Sequence, residues 1–266
     1  MLTVLTFISG GAAFGEQASG SDPDADKPLR LLFIGNSYTY VNELPELAAA
    51  MIRTQGRIVQ TGGFLAGGCT LRKHWEDNLG KPAEGTDPAR KRKLDELLAD
   101  GAWDCAIIQG QSLEPVKRFD EFSEYATLLV EHIRAVQPRI RIIFYATWAR
   151  QNRPEDQDKL TKAYQAVARA NRAEMAPVGT AWVHAFAKRE EIALHSADMS
   201  HPSPLGSYLA ACVFYAIITG KTPVGLPATL EYEKVGGKSL INIPADDALF
   251  VQQATLQATK TRLRRR

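Results

Sequence analysis

From Leu29 onward, short apolar runs alternate with longer stretches in which apolar residues recur every three or four positions. The first pattern reads as strand and the second as amphipathic helix. The runs are LRLLFIG at 29–35, IVQTGGF at 58–64, WDCAIIQ at 103–109, IRIIFYAT at 140–147 and MAPVG at 175–179. Between them, ELPELAAAMIRT, ARKRKLDELLAD, FDEFSEYATLLVEHIRAV and QDKLTKAYQAVARANRAEM carry the helical spacing. Near-continuous apolar strands such as LLFIG suit a sheet covered by helices on both faces. With right-handed crossovers, the alternation predicts a three-layer α/β/α sandwich around a five-stranded parallel sheet of order 2-1-3-4-5, a flavodoxin-like arrangement.

The remaining segments fill in that plan. Residues 87–100, with the loop 80–85 before them, read as an inserted helix and flap. Ser203 and Pro204 open a helix that Gly220 ends, a Pro/Gly-rich loop follows at 221–230, and 246–263 reads as a closing helix. One domain over 29–266 accounts for all of this.

Composition narrows the function. The chain is 45% hydrophobic and 23% charged, as a globular protein is, and its net charge of +2 is too small for nucleic-acid binding. Cys69, Cys105 and Cys212 are far apart and lack metal-ligand spacing, so neither a disulfide framework nor a metal site is expected. Cys105 and Cys212 lie in apolar surroundings and read as small buried hydrophobes. The first charged side chain is Glu16, and the apolar stretch before it is shorter than the roughly 20 residues that cross a bilayer. It reads as a signal peptide at 1–15, followed by a disordered linker at 16–28. The expectation is a secreted or periplasmic protein without stable membrane insertion after processing, although no Lys or Arg precedes the apolar run.

Ligands of such sheets bind at the carboxyl ends of the strands, and the polar motifs fall there. Gly35-Asn36-Ser37-Tyr38-Thr39 stands where the first strand turns into its helix; it is either a capped turn or a nucleophile turn. Asp198-Met199-Ser200-His201-Pro202 puts a carboxylate three residues before a histidine, close enough to orient an imidazole that activates a serine. His74, His132, His184 and His195 lack such a neighbourhood and read as surface or core histidines. Gly67-Gly68-Cys69 follows the second strand and Gln109-Gly110-Gln111-Ser112 the third, where a backbone N–H and a side-chain amide could both reach a reacting oxygen. Gly62–Gly67 lacks the Lys-Ser/Thr of a phosphate loop. Tyr38, Tyr40, Trp75 and Trp148 lie near strand ends, where they either stack on a sugar or simply pack.

The order of these motifs, from the serine through the glycine and the amide to D-x-x-H, resembles the SGNH (GDSL-like) hydrolases over nearly all of 30–220. The resemblance implies Ser37 as nucleophile, with His201 and Asp198 completing the triad. It implies an oxyanion hole of Ser37 N–H, Gly68 N–H and one side-chain amide. The chain departs from the family twice. Its G-D-S reads Gly35-Asn36-Ser37, and Gln109-Gly110-Gln111-Ser112 replaces the G-x-N-D block that carries the family's oxyanion asparagine. Gln109, which ends the strand, is the first choice for the amide and Gln111 the second. The implied activity is ester hydrolysis through an acyl-enzyme, without metal or organic cofactor. The expected substrates are short acyl esters of small molecules or carbohydrates, with Tyr38, Trp75 and Trp148 as candidate contacts. The alternative is a carbohydrate-binding protein on the same fold that has lost turnover through the altered block.

Overall fold

The computed structural model describes residues 27–79, 93–234 and 236–263. The expected signal peptide, nearly all of the linker and the flap at 80–92 lie outside them. Five strands, β1 (Leu29–Gly35), β2 (Val59–Leu65), β3 (Cys105–Ile108), β4 (Arg141–Tyr145) and β5 (Glu174–Ala176), pair in parallel in the order β2-β1-β3-β4-β5. The sheet is therefore the one the alternation predicts.

Side chains on a strand point alternately to its two faces, and here both faces are buried. Leu31 and Phe33 of β1 and Ile143 and Tyr145 of β4 join one core. That core is closed by α2 (Leu44–Arg53), α8 (Val178–Phe186), α9 (Pro204–Thr219) and α10 (Ala245–Leu263). Leu32, Ile34, Ile142 and Phe144 join the other core, under α4 (Leu94–Ala99), α6 (Phe119–Val136) and α7 (Gln157–Ala170). Helix α9 is buried from Gly206 to Ile218, as befits a helix that is apolar nearly all round. Ser203 Oγ accepts the Gly206 N–H at 3.0 Å to start it, and Gly220, at φ 72°, ends it. All three cysteines are free and buried.

The structure departs from the sequence pattern at several joints. Helix α7 stops at Ala170, five residues early, because Asn171 Nδ2 bonds back to the Val167 carbonyl and Arg172 adopts φ 47°. The chain then reverses in time for β5 to reach the sheet edge. Strand β5 is short because Pro177, which has no N–H to give a ladder, leads directly into α8. An additional helix, α3 (Leu71–Leu79), follows β2. Its inward face includes His74, so the apolar period that would reveal it is broken. Part of the expected Pro/Gly loop is instead an antiparallel hairpin, β6 (Thr229–Lys234) and β7 (Gly237–Asn242), whose Tyr232 and Ile241 join the α2 side of the core.

Gly179 lets α8 approach the chain leaving β4. A Cβ there would lie 2.2 Å from the Thr147 carbonyl oxygen and 2.5 Å from Gln157 Nε2. Backbone cannot yield as a side chain does. Gly179→Ala should cost about 2 kcal/mol, read as a fall of roughly 4–8 °C in Tm. An unchanged Tm would show that the two segments are not packed this closely.

Candidate active site

At Gly35 the chain leaves β1 inside the protein and turns into a short helix, α1 (Ser37–Tyr40). Buried backbone groups at such a turn need partners. Asn36 Oδ1 accepts the Tyr38 N–H at 3.2 Å, and Asn36 Nδ2 donates to the Cys69 carbonyl at 3.0 Å, tying the glycine loop after β2 to the Ser37 turn. Gln109 Oε1 accepts the Asn36 N–H at 3.0 Å and the Thr39 hydroxyl at 2.9 Å. From α3, His74 Nε2 donates to the Gly35 carbonyl at 2.8 Å. Burial pulls His74 down to about 4, so the ring is neutral near pH 7 and its single N–H lies on that nitrogen. Gly35 is required by close approach, since a Cβ would meet Thr39 Oγ1 at 2.5 Å and Gln109 Oε1 at 2.7 Å.

The histidine loop is fixed just as firmly. Ser196 N–H bonds to the His201 carbonyl at 2.8 Å, and His195 bridges Pro202. Asn42 Nδ2 donates to the Pro202 carbonyl at 3.2 Å and to Ser207 Oγ at 2.9 Å. Three non-glycine residues around the site have left-handed backbone: Asn42 (φ 57°), Glu43 (φ 49°) and Met199 (φ 59°). Each such residue stores about 1–3 kcal/mol of strain that its surroundings must offset. Asp198 Oδ1 accepts the N–H groups of Ser200 (3.0 Å) and His201 (2.9 Å), and Oδ2 pairs closely with His201 Nδ1. His201 Nε2 lies 2.7 Å from Ser37 Oγ.

Serine, imidazole and carboxylate thus stand in one hydrogen-bonded line. The bond from His201 and the two backbone donors hold Asp198 at about 2. As a carboxylate it accepts only, so Nδ1 carries the proton and Nε2 faces the serine with its lone pair.

The Ser37 N–H and the Gly68 N–H make no hydrogen bond among the described residues, and Gly68 is exposed with φ 64°. The side-chain donor expected at Gln109 is a correction. Its amide is fully buried, with Oε1 spent on Asn36 and Thr39 and Nε2 on the Gly110 carbonyl, so Gln109 supports the turn from behind. Gln111 is half-buried and turned to its own loop, with Oε1 on the Leu113 N–H at 2.9 Å and Nε2 on Ser112 Oγ at 3.2 Å.

The expected aromatic contacts also need correction. Trp148 is 1% exposed and sandwiched between Tyr38 and Trp182, at ring distances of 4.8 and 4.1 Å, with its Nε1 on the Ser200 carbonyl. Tyr38 is also buried, packing edge-on to His201 at 5.5 Å. Trp75 lies on α3, edge-on to His132 of α6. Neither Tyr38 nor Trp148 offers an open ring face beside Ser37.

Other residues carry parts of the site that the motifs did not reveal. Glu114, at the start of α5 (Glu114–Lys117), is buried; it accepts the Gln111 N–H at 2.8 Å and the Leu71 N–H at 3.1 Å. It therefore couples the loops after β2 and β3. Burial pushes its carboxyl up to about 7 against the pull of those two N–H groups. Ser200 Oγ lies 2.7 Å from the Tyr38 hydroxyl, and Arg150, just beyond β4, donates from Nη2 to Ser112 Oγ at 3.0 Å. Among the described residues no group of three or more His, Cys, Asp or Glu side chains is placed to hold a metal. A cavity of about 1160 Å³ lies at the other end of the sheet, by Leu29, Asp104 and Arg141, away from Ser37.

A parallel 2-1-3-4-5 sheet with such a line at its carboxyl edge defines the SGNH-hydrolase fold, and this chain has that fold. A DUF4886 family protein from Bacteroides uniformis is similar at 21% identity and TM-score 0.71, over 88% of this chain and 95% of that one. A Slackia heliotrinireducens protein ascribed to the SGNH hydrolases shares 24% identity at TM-score 0.55, over 72% of this chain and all of that one. The lipase/acylhydrolase from Enterococcus faecalis shares 16% at TM-score 0.53, over 77% and 99%. No protein-family model and no curated protein matches the sequence.

Glu114 generates a pH-dependent stability. Its folded value, about 7, lies above the ordinary 4.5, so its contribution is full below about pH 4.5 and is lost as pH rises through 7. Glu114→Gln removes that titration. The Tm of wild type minus that of Glu114→Gln should therefore fall steadily from pH 4.5 to pH 8. A constant offset would mean that the carboxyl does not titrate in this range.

Proposed function

We propose that this chain is a serine ester hydrolase in which Ser37 is the nucleophile, His201 the general base and Asp198 its orienting carboxylate. The observation that carries the reading is the 2.7 Å contact between His201 Nε2 and Ser37 Oγ, with Nδ1 of the same ring held by Asp198. Ser37 Oγ attacks the ester carbonyl carbon while its proton passes to His201 Nε2. In this reading the oxyanion accepts hydrogen bonds from the Ser37 and Gly68 N–H groups, which make none among the described residues. As the tetrahedral intermediate collapses, the alcohol leaves with the proton from His201 and the acyl group stays on Ser37. Water then gives a proton to His201 as it attacks the acyl carbon, and collapse of that intermediate releases the acid while His201 returns the proton to Ser37 Oγ.

The Tyr38 hydroxyl and Ser200 Oγ pair beside His201, with Ser112 and Arg150 next to Tyr38, and these polar surroundings favour a short acyl group over a long apolar one. The alcohol half is a small molecule or a carbohydrate. With the aromatic rings covered, a sugar would be held by hydrogen bonds rather than by stacking. No described helix is long and apolar enough to cross a membrane, and export rests on the apolar segment 1–15 alone.

With p-nitrophenyl acetate, Ser37→Ala and His201→Ala should each lose about 10⁴-fold or more in kcat. The double variant should be no worse than either single, because the two groups act as a unit. Activity near wild type in folded Ser37→Ala would exclude the mechanism.

A further inference from the structure

Arg150 is the one cation joined by hydrogen bonds to groups flanking both halves of the triad, among the bonds of the described residues. Its Nη2 donates to Ser112 Oγ. The Tyr38 hydroxyl, next in sequence to the nucleophile, is under the influence of both Ser112 and Arg150, and it pairs with Ser200 beside His201. Arg150 thus stands one side chain away from the reacting serine, at the carboxyl end of β4, where ligands of such sheets bind.

The guanidinium is under-used. Of its five N–H donors, those in use go to neutral hydroxyls, Ser112 Oγ and the Tyr38 hydroxyl, and it forms no ion pair with a carboxylate among the described residues. Its Nε is buried without a partner. An arginine kept only to brace these hydroxyls bonds to neutral groups and leaves a buried donor unpaired, which is costly. A planar fork of donors beside a nucleophile matches a carboxylate, which would satisfy the orphaned donor and the charge together. On one flank Arg150 also borders a cavity of about 510 Å³, lined mostly by apolar residues such as Trp182, Val183 and Phe186, together with Glu190 and His195.

We propose that Arg150 recognises a carboxylate of the substrate, making this chain a hydrolase of anionic esters that carry a carboxylate close to the scissile bond. One guanidinium among neutral hydroxyls balances one negative charge, as a carboxylate requires. The proposal rests on the hydrolase reading for its activity, and on the Arg150 geometry for its specificity. The carboxylate belongs either to the acyl half or to the alcohol half of the ester, and matched substrates separate the two.

The test compares p-nitrophenyl butyrate with mono-p-nitrophenyl succinate, which carries a carboxylate on the acyl half. It also compares phenyl acetate with 3-acetoxybenzoate, which carries one on the alcohol half. In one of the two pairs, wild type should favour the anionic member in kcat/KM by roughly tenfold or more, and Arg150→Met should reduce that ratio at least tenfold. Arg150→Lys should recover only part of it. Using the ratio cancels any common loss caused by disturbing Ser112. A ratio equal in wild type and Arg150→Met for both pairs overturns the proposal. In parallel, calorimetry follows monomethyl succinate and 3-acetoxybenzoate binding to Ser37→Ala, with and without Arg150→Met. If no ester is turned over, the hydrolase reading falls. Binding then decides for Arg150: loss in the double variant supports the carboxylate site, and equal or absent binding rejects it.

Discussion

A serine presented at the end of a buried strand requires a backbone turn inside the protein, and three side chains satisfy polar groups of that turn and of the loop beside it. Gln109 Oε1 takes the Asn36 N–H, His74 Nε2 takes the Gly35 carbonyl, and Asn36 Nδ2 reaches the Cys69 carbonyl. Each comes from a different part of the fold: the end of β3, helix α3 and the turn itself. Unmet, each of these backbone groups would cost about 1–3 kcal/mol. Their pairing therefore fixes Ser37 to the sheet and brings the Gly68 loop alongside it.

The same economy explains the departures from the family pattern. An asparagine in place of aspartate can both accept and donate, and Asn36 does both, capping α1 and holding the neighbouring loop. A carboxylate there would only accept and would face the Cys69 carbonyl oxygen. Gln109 is long enough to reach back under the turn to Thr39, which is why its amide is unavailable to an oxyanion. Backbone N–H groups remain, and these need no side-chain ordering to act.

Much of this could be read along the chain. The five strands, their order and the two-faced burial follow from near-continuous apolar runs separated by helical spacing, and Ser37, Asp198 and His201 follow from motif order. What stayed hidden depends on contacts distant in sequence. Glu114 looks like an ordinary acid at a helix start, yet it is buried and reaches a backbone N–H 43 residues away while holding one in its own loop. His74 breaks the apolar period of α3 because its inward position serves a hydrogen bond. Trp148 stands at a strand end, as a substrate contact would, but Trp182 from α8 covers one face and Tyr38 the other. The end of α7 turns on the left-handed Arg172, a conformation that no propensity assigns to arginine.

The central claim is that Ser37, activated by His201, takes up the acyl group. Mass spectrometry of peptides from the chain reacted with a fluorophosphonate tests it directly. The account predicts a single adduct on Ser37, formed in wild type and lost or greatly slowed when His201 is replaced by alanine. An adduct on another residue, or a folded wild-type chain that forms none, would contradict it.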